Sequence, residues 1–192
     1  MITQIYKSTH KTREVYDLTH VKDQLNIFYD QVVANGTKKA QGAGVRVGGS
    51  SDRGNISEYR YINTKKMLML PELLNTINNL AKHLNIYEHM LTHNVLHLPA
   101  GGFLDWQDYY MWQKRSIRGN SFQVIGPVIN FFSISLTHNN VVGFREENIP
   151  VDKHHAILFA PDDEHKVDAS DHDRMWLVLG IADHVDMLTT LK

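Results

Sequence analysis

The sequence contains no cysteine. Disulfide cross-links, thiolate nucleophiles and cysteine-bound metals are thereby excluded, and the redox compartment is left open. A surplus of charge is also missing: 20 Lys+Arg stand against 21 Asp+Glu, a formal net charge of −1. That balance gives no general case for binding nucleic acid or an anionic membrane. No apolar run approaches the roughly 20 residues that span a bilayer. The start, Met-Ile-Thr-Gln-Ile-Tyr-Lys, lacks the apolar stretch of a signal peptide, so none is expected. A soluble protein is expected, intracellular or part of an assembled particle. The glycines of Gly42-Ala-Gly-Val-Arg-Val-Gly-Gly and the polar residues 49–57 lack the GxxxxGK[ST] phosphate cradle, and they read as a short strand and a loop. Internal repeats, low-complexity tracts and linkers are absent too, so one domain over 1–192 is expected.

What is present is an ordinary globular composition, 42% hydrophobic and 21% charged over 192 residues, enough chain for a sizeable core. Residues 1–16 suit an edge strand or an arm. Val21, Leu25, Phe28 and Val32 recur at helical spacing, with Thr19 or Asp17 as a cap and Gly36 as the stop. Pro71 opens a second helical pattern. Its stripe, Leu73, Leu74, Ile77, Leu80, Ala81 and Leu84, suits covering one face of a sheet. His89 and His93 have the spacing of a helical zinc pair, but no HExxH accompanies them. From Val95 the texture is β, with strands near 95–98, 102–110, 121–125, 127–136, 141–145, 156–160 and 174–182. This order predicts an α+β chain: a sandwich or double-stranded β-helix (jelly-roll, cupin-like) core with N-terminal helices packed on one face. The expected portions are a helical support (1–93), the jelly-roll core (94–182) and a C-terminal tail (183–192).

Chemistry concentrates between Ile149 and Ala182. Two apolar β-type runs flank an acidic turn and His165, and Arg174 opens the second run. A neutral imidazole is a common metal ligand, and a guanidinium grips a carboxylate with two parallel hydrogen bonds. The plainer alternative makes His165 a surface residue beside Asp162, Asp163 and Glu164 in a solvated acidic loop. It makes Arg174 the salt-bridge partner of Asp171 or Asp173. The paired histidines His154 and His155 read as opposite faces of a strand. Trp106, Tyr109, Tyr110, Met111 and Trp112 form a dense group that suits core and rim packing, or a contact surface.

The late strands, Phe159-Ala-Pro-Asp-Asp-Glu-His165-Lys-Val and Arg174-Met-Trp-Leu-Val-Leu, resemble those of the Fe(II)/2-oxoglutarate oxygenases, prolyl 4-hydroxylases in particular. The similarity covers roughly 94–182. It implies His165 as the distal iron ligand and Arg174 as the clamp on the far carboxylate of 2-oxoglutarate. The family's early motif is a glycine turn followed by His-x-Asp, with open iron positions for co-substrate and oxygen. Here the corresponding stretch is Gly101-Gly-Phe-Leu-Asp105-Trp-Gln107-Asp-Tyr109, so Gln107 and Tyr109 take the two ligand places. Alternation would put Asp105, Gln107 and Tyr109 on one face, and a one-residue shift would offer Asp108. Asp105, Gln107 and His165 are the candidate metal ligands. Trp176 occupies a place that is often a small hydroxyl residue in the family. Two functions follow. One is an oxygenase that uses iron and 2-oxoglutarate to hydroxylate a protein side chain. The other is a catalytically silent jelly-roll without these cofactors, a binding or assembly protein such as a virus-particle component. Either implies a protein substrate or partner, neither a nucleic acid nor a membrane, and the second an oligomer or assembly.

Overall fold

Two faces of alternating side chains decide the layering, because successive residues of a strand point to opposite sides of the sheet. A computed structural model describes residues 2–35, 37–39, 58–61, 71–72, 75–76, 79, 90–107, 117–118, 123–125, 128–160, 162–182 and 186–188. In chain order the strands are β1 (Thr3–Lys7), β2 (Glu14–Asp17), β3 (Thr37–Lys39), β4 (Glu58–Tyr61), β5 (Met90–Leu98), β6 (Leu104–Gln107), β7 (Ile117–Arg118), β8 (Gln123–Ile125), β9 (Val128–Ser135), β10 (Asn140–Phe144), β11 (Asn148–Val151), β12 (His155–Phe159), β13 (His165–Val167), β14 (Arg174–Ala182) and β15 (Asp186–Leu188). The large sheet runs β1-β2-β12-β9-β14-β5-β4-β3, the facing sheet β11-β10-β13-β6, and a small third sheet β15-β8-β7. Neighbours such as β2 and β12, or β5 and β14, are far apart in sequence, and the pairing is antiparallel. This is a jelly-roll, double-stranded β-helix core.

The helix α1 (Lys22–Asn35) lies on the outer face of the large sheet. Asp17 accepts the Thr19 N–H at 2.7 Å just ahead of the short 3₁₀ turn that leads into it, where the N-cap position is Leu18, without a side-chain cap. Val21, Leu25, Phe28 and Val32, the predicted stripe, are all buried against Phe132, Ile134, Leu158, Met175, Leu177 and Leu179. Each fully buried side chain of this size stabilises the fold by roughly 1.5–3 kcal/mol relative to exposure. The alternate residues turn inward. Ile157 and Phe159 meet Val142, Phe144, Ile149 and Val151, and Leu96, Leu98 and Trp176 meet Leu104 and Val167. The interior between the two sheets is therefore closed by apolar side chains from both. Helical backbone recurs at 71–72, 75–76 and 79, within the stripe that Pro71 opens. Among the described residues no helix is long and apolar enough to cross a membrane.

Several local expectations differ. The N-terminal third contributes strands β1 to β4 to the large sheet besides its helix. His93 lies in β5 and pairs with Leu179, so the four-residue spacing from His89, itself outside the described residues, is not a helical pair. His154 does not alternate with His155 on a strand. It occupies the turn before β12 with φ 67°, held there by its N–H to Ser135 O and by Leu18 N–H donating to its carbonyl.

Candidate functional site

His165 opens β13, a three-residue strand too short and too charged to be read from alternation. It is 3% exposed, not a surface residue of an acidic turn. Like Val167 two places on, it faces the interior, with its ring centroid 4.8 Å from that of Phe159 and 6.2 Å from that of Phe144. Its Nδ1 donates to the Asp163 carbonyl at 2.9 Å. A carbonyl can only accept, so Nδ1 carries the proton, and in the neutral imidazole the ring's lone pair sits on Nε2. The register sets Gln107 of β6 directly across from His165, and Leu104 across from Val167. Four residues of β6 (104–107) thus span three of β13 (165–167), a bulge, so strict alternation does not carry through this stretch. The side chains at 105 and 107 lie outside the described part of the structure, as do Asp108, Tyr109, Tyr110, Met111 and Trp112. Trp106 is half-buried, with the Arg145 guanidinium 3.9 Å and the Lys166 ammonium 5.6 Å from its ring centroid.

Arg174 begins β14 opposite Leu98. It shares the inward face with Trp176 and Val178, whereas Met175, Leu177 and Leu179 face the helix. It is 4% exposed, and its one hydrogen bond among the described residues runs from Nη2 to the Gly102 carbonyl at 2.6 Å. The expected salt bridge to Asp171 or Asp173 is not formed, and the buried Nε has no hydrogen-bond partner. Burial pulls the guanidinium below its ordinary pKa, opposed by the field of Asp168. The Trp176 ring centre lies 5.8 Å from its Cζ. The carbonyl that holds Arg174 is set by the Gly101-Gly102 turn. Gly101 has φ 79°, and a Cβ on Gly102 would come within 2.8 Å of the Pro99 carbonyl oxygen.

A second buried arginine was not legible as part of the site. Arg13, just before β2, is fully buried, and its Cζ lies 4.1 Å from the Phe144 ring centre. It grips Asp163 through Nε at 2.5 Å and Nη2 at 2.6 Å, Glu146 at 2.7 Å and Glu147 at 2.8 Å. Ser8 and the Tyr6 hydroxyl also donate to Glu147, and Lys11 donates to Asp163 at 3.1 Å. Asp163, expected in a solvated loop, is 1% exposed. Burial lowers the pKa of Arg13, but its carboxylate hydrogen bonds outweigh that and the net shift is upward. The partners lie 133 to 150 residues away in sequence, so no local pattern could reveal them.

The resemblance drawn from the sequence implies an iron site of two histidines and a carboxylate. The position across from His165 is an amide, which offers only a neutral oxygen, and among the described residues no three His, Asp or Glu side chains come together as metal ligands. Among the described residues, therefore, that triad is not assembled. Arg174 does fit a carboxylate ligand: a buried cation with an orphaned N–H lacks the anion that burial demands.

No family model matches the sequence, and no curated protein matches it. Solved structures do match in fold. The viral collagen prolyl hydroxylase from Paramecium Bursaria Chlorella virus-1, in its 2OG complex, has a TM-score of 0.59 at 10% identity, over 91% of this chain and 98% of that one. A Pseudomonas putida prolyl-4-hydroxylase gives 0.59 at 10% identity, over 90% and 92%. The non-heme alpha-ketoglutarate-dependent epimerase SnoN from nogalamycin biosynthesis gives 0.62 at 10% identity, over 89% and 76%. The chain has the fold of the Fe(II)/2-oxoglutarate oxygenases.

Proposed function

We propose that this protein binds a 2-oxo dicarboxylate of the 2-oxoglutarate type through Arg174, inside an oxygenase-type jelly-roll whose described residues do not assemble that fold's iron triad. One observation carries the reading: Arg174 is buried without a carboxylate partner among the described residues, and its Nε is unsatisfied. The contrast with Arg13 sharpens it. There the chain surrounds a buried guanidinium with three carboxylates. At Arg174 it supplies one backbone carbonyl. An anionic ligand would complete the second site as Asp163 completes the first, through charge-assisted bidentate hydrogen bonds. Of the two prolyl hydroxylases in the comparison, the viral one is described as a 2OG complex, which agrees with the ligand class.

The test is a titration of 2-oxoglutarate with all metal chelated, followed by tryptophan fluorescence, since Trp176 lies beside Arg174. Saturable quenching is expected. Arg174→Gln should weaken binding by at least about thirtyfold, the lower end of the 2–5 kcal/mol typical for removing one partner of a buried charge pair. Equal quenching of the variant and the parent would refute the reading.

A second reading is an active hydroxylase of a protein side chain, with iron held by His165, Gln107 and Asp105. The direct pairing of Gln107 with His165 favours it. Iron would supply oxygen activation there. Stoichiometric Fe(II) binding that is lost in His165→Ala would support this reading, and its absence would remove it.

A further inference from the structure

Arg13 is a buried charge with no place in the carboxylate site, and its function lies one residue removed from His165. Asp163 is held at both ends. Its carboxylate accepts two hydrogen bonds from Arg13 and one from Lys11, and its backbone carbonyl accepts the Nδ1 proton of His165. The Phe144 ring makes a second connection, with Arg13 on it at 4.1 Å and the His165 ring 6.2 Å away. The guanidinium also fastens Glu146 and Glu147, which join β10 to β11. It therefore ties the N-terminal hairpin to the two loops that flank β13 in space. Stability alone is a weak reason for such an arrangement, because well-packed apolar side chains often do as well as a buried ion pair. With so many bonds made, Arg13 is also poorly placed to receive a ligand.

We infer that Arg13 is a positioning residue for His165: by holding Asp163 it presents the carbonyl that keeps the imidazole in its Nδ1–H form, with the Nε2 lone pair as the ring's acceptor or ligand-binding atom. Free histidine favours the opposite tautomer, so the protein selects the less common one. The hydrogen bond to a fixed carbonyl is the general device for setting which ring nitrogen can bind. This inference goes beyond carboxylate binding at Arg174, and its readout requires no ligand.

The experiment is long-range proton–nitrogen correlation of the imidazole rings in ¹⁵N-labelled protein, at a pH where they are neutral, with His165 assigned by its loss in His165→Gln. The parent should show His165 as Nδ1–H. Arg13→Lys keeps the charge but lacks the fork that grips Asp163. In that variant the ratio of Nδ1–H to Nε2–H should fall about fivefold, the equivalent of one ordinary hydrogen bond. The neutral double variant Arg13→Gln/Asp163→Asn, which leaves no unpaired charge between the two positions, should show the same change. Glu146→Gln removes another arm of the clamp, and Leu25→Ala weakens the distant helix packing. Both should lower Tm and leave the tautomer alone. An unchanged His165 spectrum in both Arg13 variants overturns the inference, as does an equal change in the two controls. A failure of 2-oxoglutarate to bind would leave this result standing, and the reverse also holds.

Discussion

Arg13 and Arg174 are chemically identical and both buried, yet one sits among carboxylates and the other beside a carbonyl. The difference predicts opposite responses to the same substitution. Arg13→Met strands a buried carboxylate and should destabilise the protein by about 3–5 kcal/mol, read from chemical denaturation. Arg174→Met removes an uncompensated buried cation, so the ligand-free Tm should stay level or rise while 2-oxoglutarate no longer raises it. A fall of several degrees in the ligand-free variant would mark Arg174 as a structural residue. Acid should act through the first cluster. Burial raises the pKa of Glu147, but hydrogen bonds from Ser8, Tyr6 and Arg13 bring it from 4.5 down to about 2. A carboxylate with a depressed pKa contributes its stability fully above the unfolded value and loses it as pH falls through the folded one. Denaturation midpoints should therefore decline between about pH 4.5 and about pH 2, and Glu147→Gln should flatten that decline. At this scale the sequence singled out His165 and Arg174, because they lie nine positions apart and each stands at the edge of an apolar run. Arg13 stayed hidden because the partners of its side chain are all supplied from beyond residue 143.

Among the elements, the turn between β5 and β6 controls the arginine site. Gly102 donates its N–H to Pro99 O at 2.7 Å and offers its carbonyl to Arg174. A methyl group at Gly102 would meet backbone, not a yielding side chain, so the carbonyl has to move. Gly102→Ala should weaken 2-oxoglutarate binding by about tenfold, near 1.4 kcal/mol, and calorimetric titration would measure it. Unchanged affinity would separate the turn from the site. Helix α1 was readable because four apolar residues repeat at helical spacing and all four are buried. Strands β9, β10, β12 and β14 were readable because apolar runs end in clear turn residues. Strands β11 and β13 were not: Asn148–Val151 contains a proline, and His165–Val167 has a single aliphatic residue. Each becomes a strand through pairing with β10, a tertiary effect that local composition does not encode.

For the molecule as a whole, a jelly-roll brings together strands distant in the chain, so the layering was legible as a class while the partners of individual strands were not. The sequence pattern, helix then hairpin-linked strands, agrees with the observed sandwich and with the oxygenase fold shared at 10% identity. Fold similarity at that level leaves chemistry to the site itself. The described residues offer a buried guanidinium without a carboxylate partner at Arg174 and, at His165, an imidazole whose Nδ1 donates to the Asp163 carbonyl, with Gln107 across from it in the register. Two sheets supply these groups, Arg174 from the large one and His165 from the facing one, so ligand binding should couple to the stability of the entire sandwich. The most direct measurement is isothermal titration calorimetry of 2-oxoglutarate into the parent protein and Arg174→Met, with metal removed by chelator. One-site binding tighter than about 1 mM, absent from the variant, is the predicted result. No heat of binding in the parent, or the same binding in Arg174→Met, would contradict it.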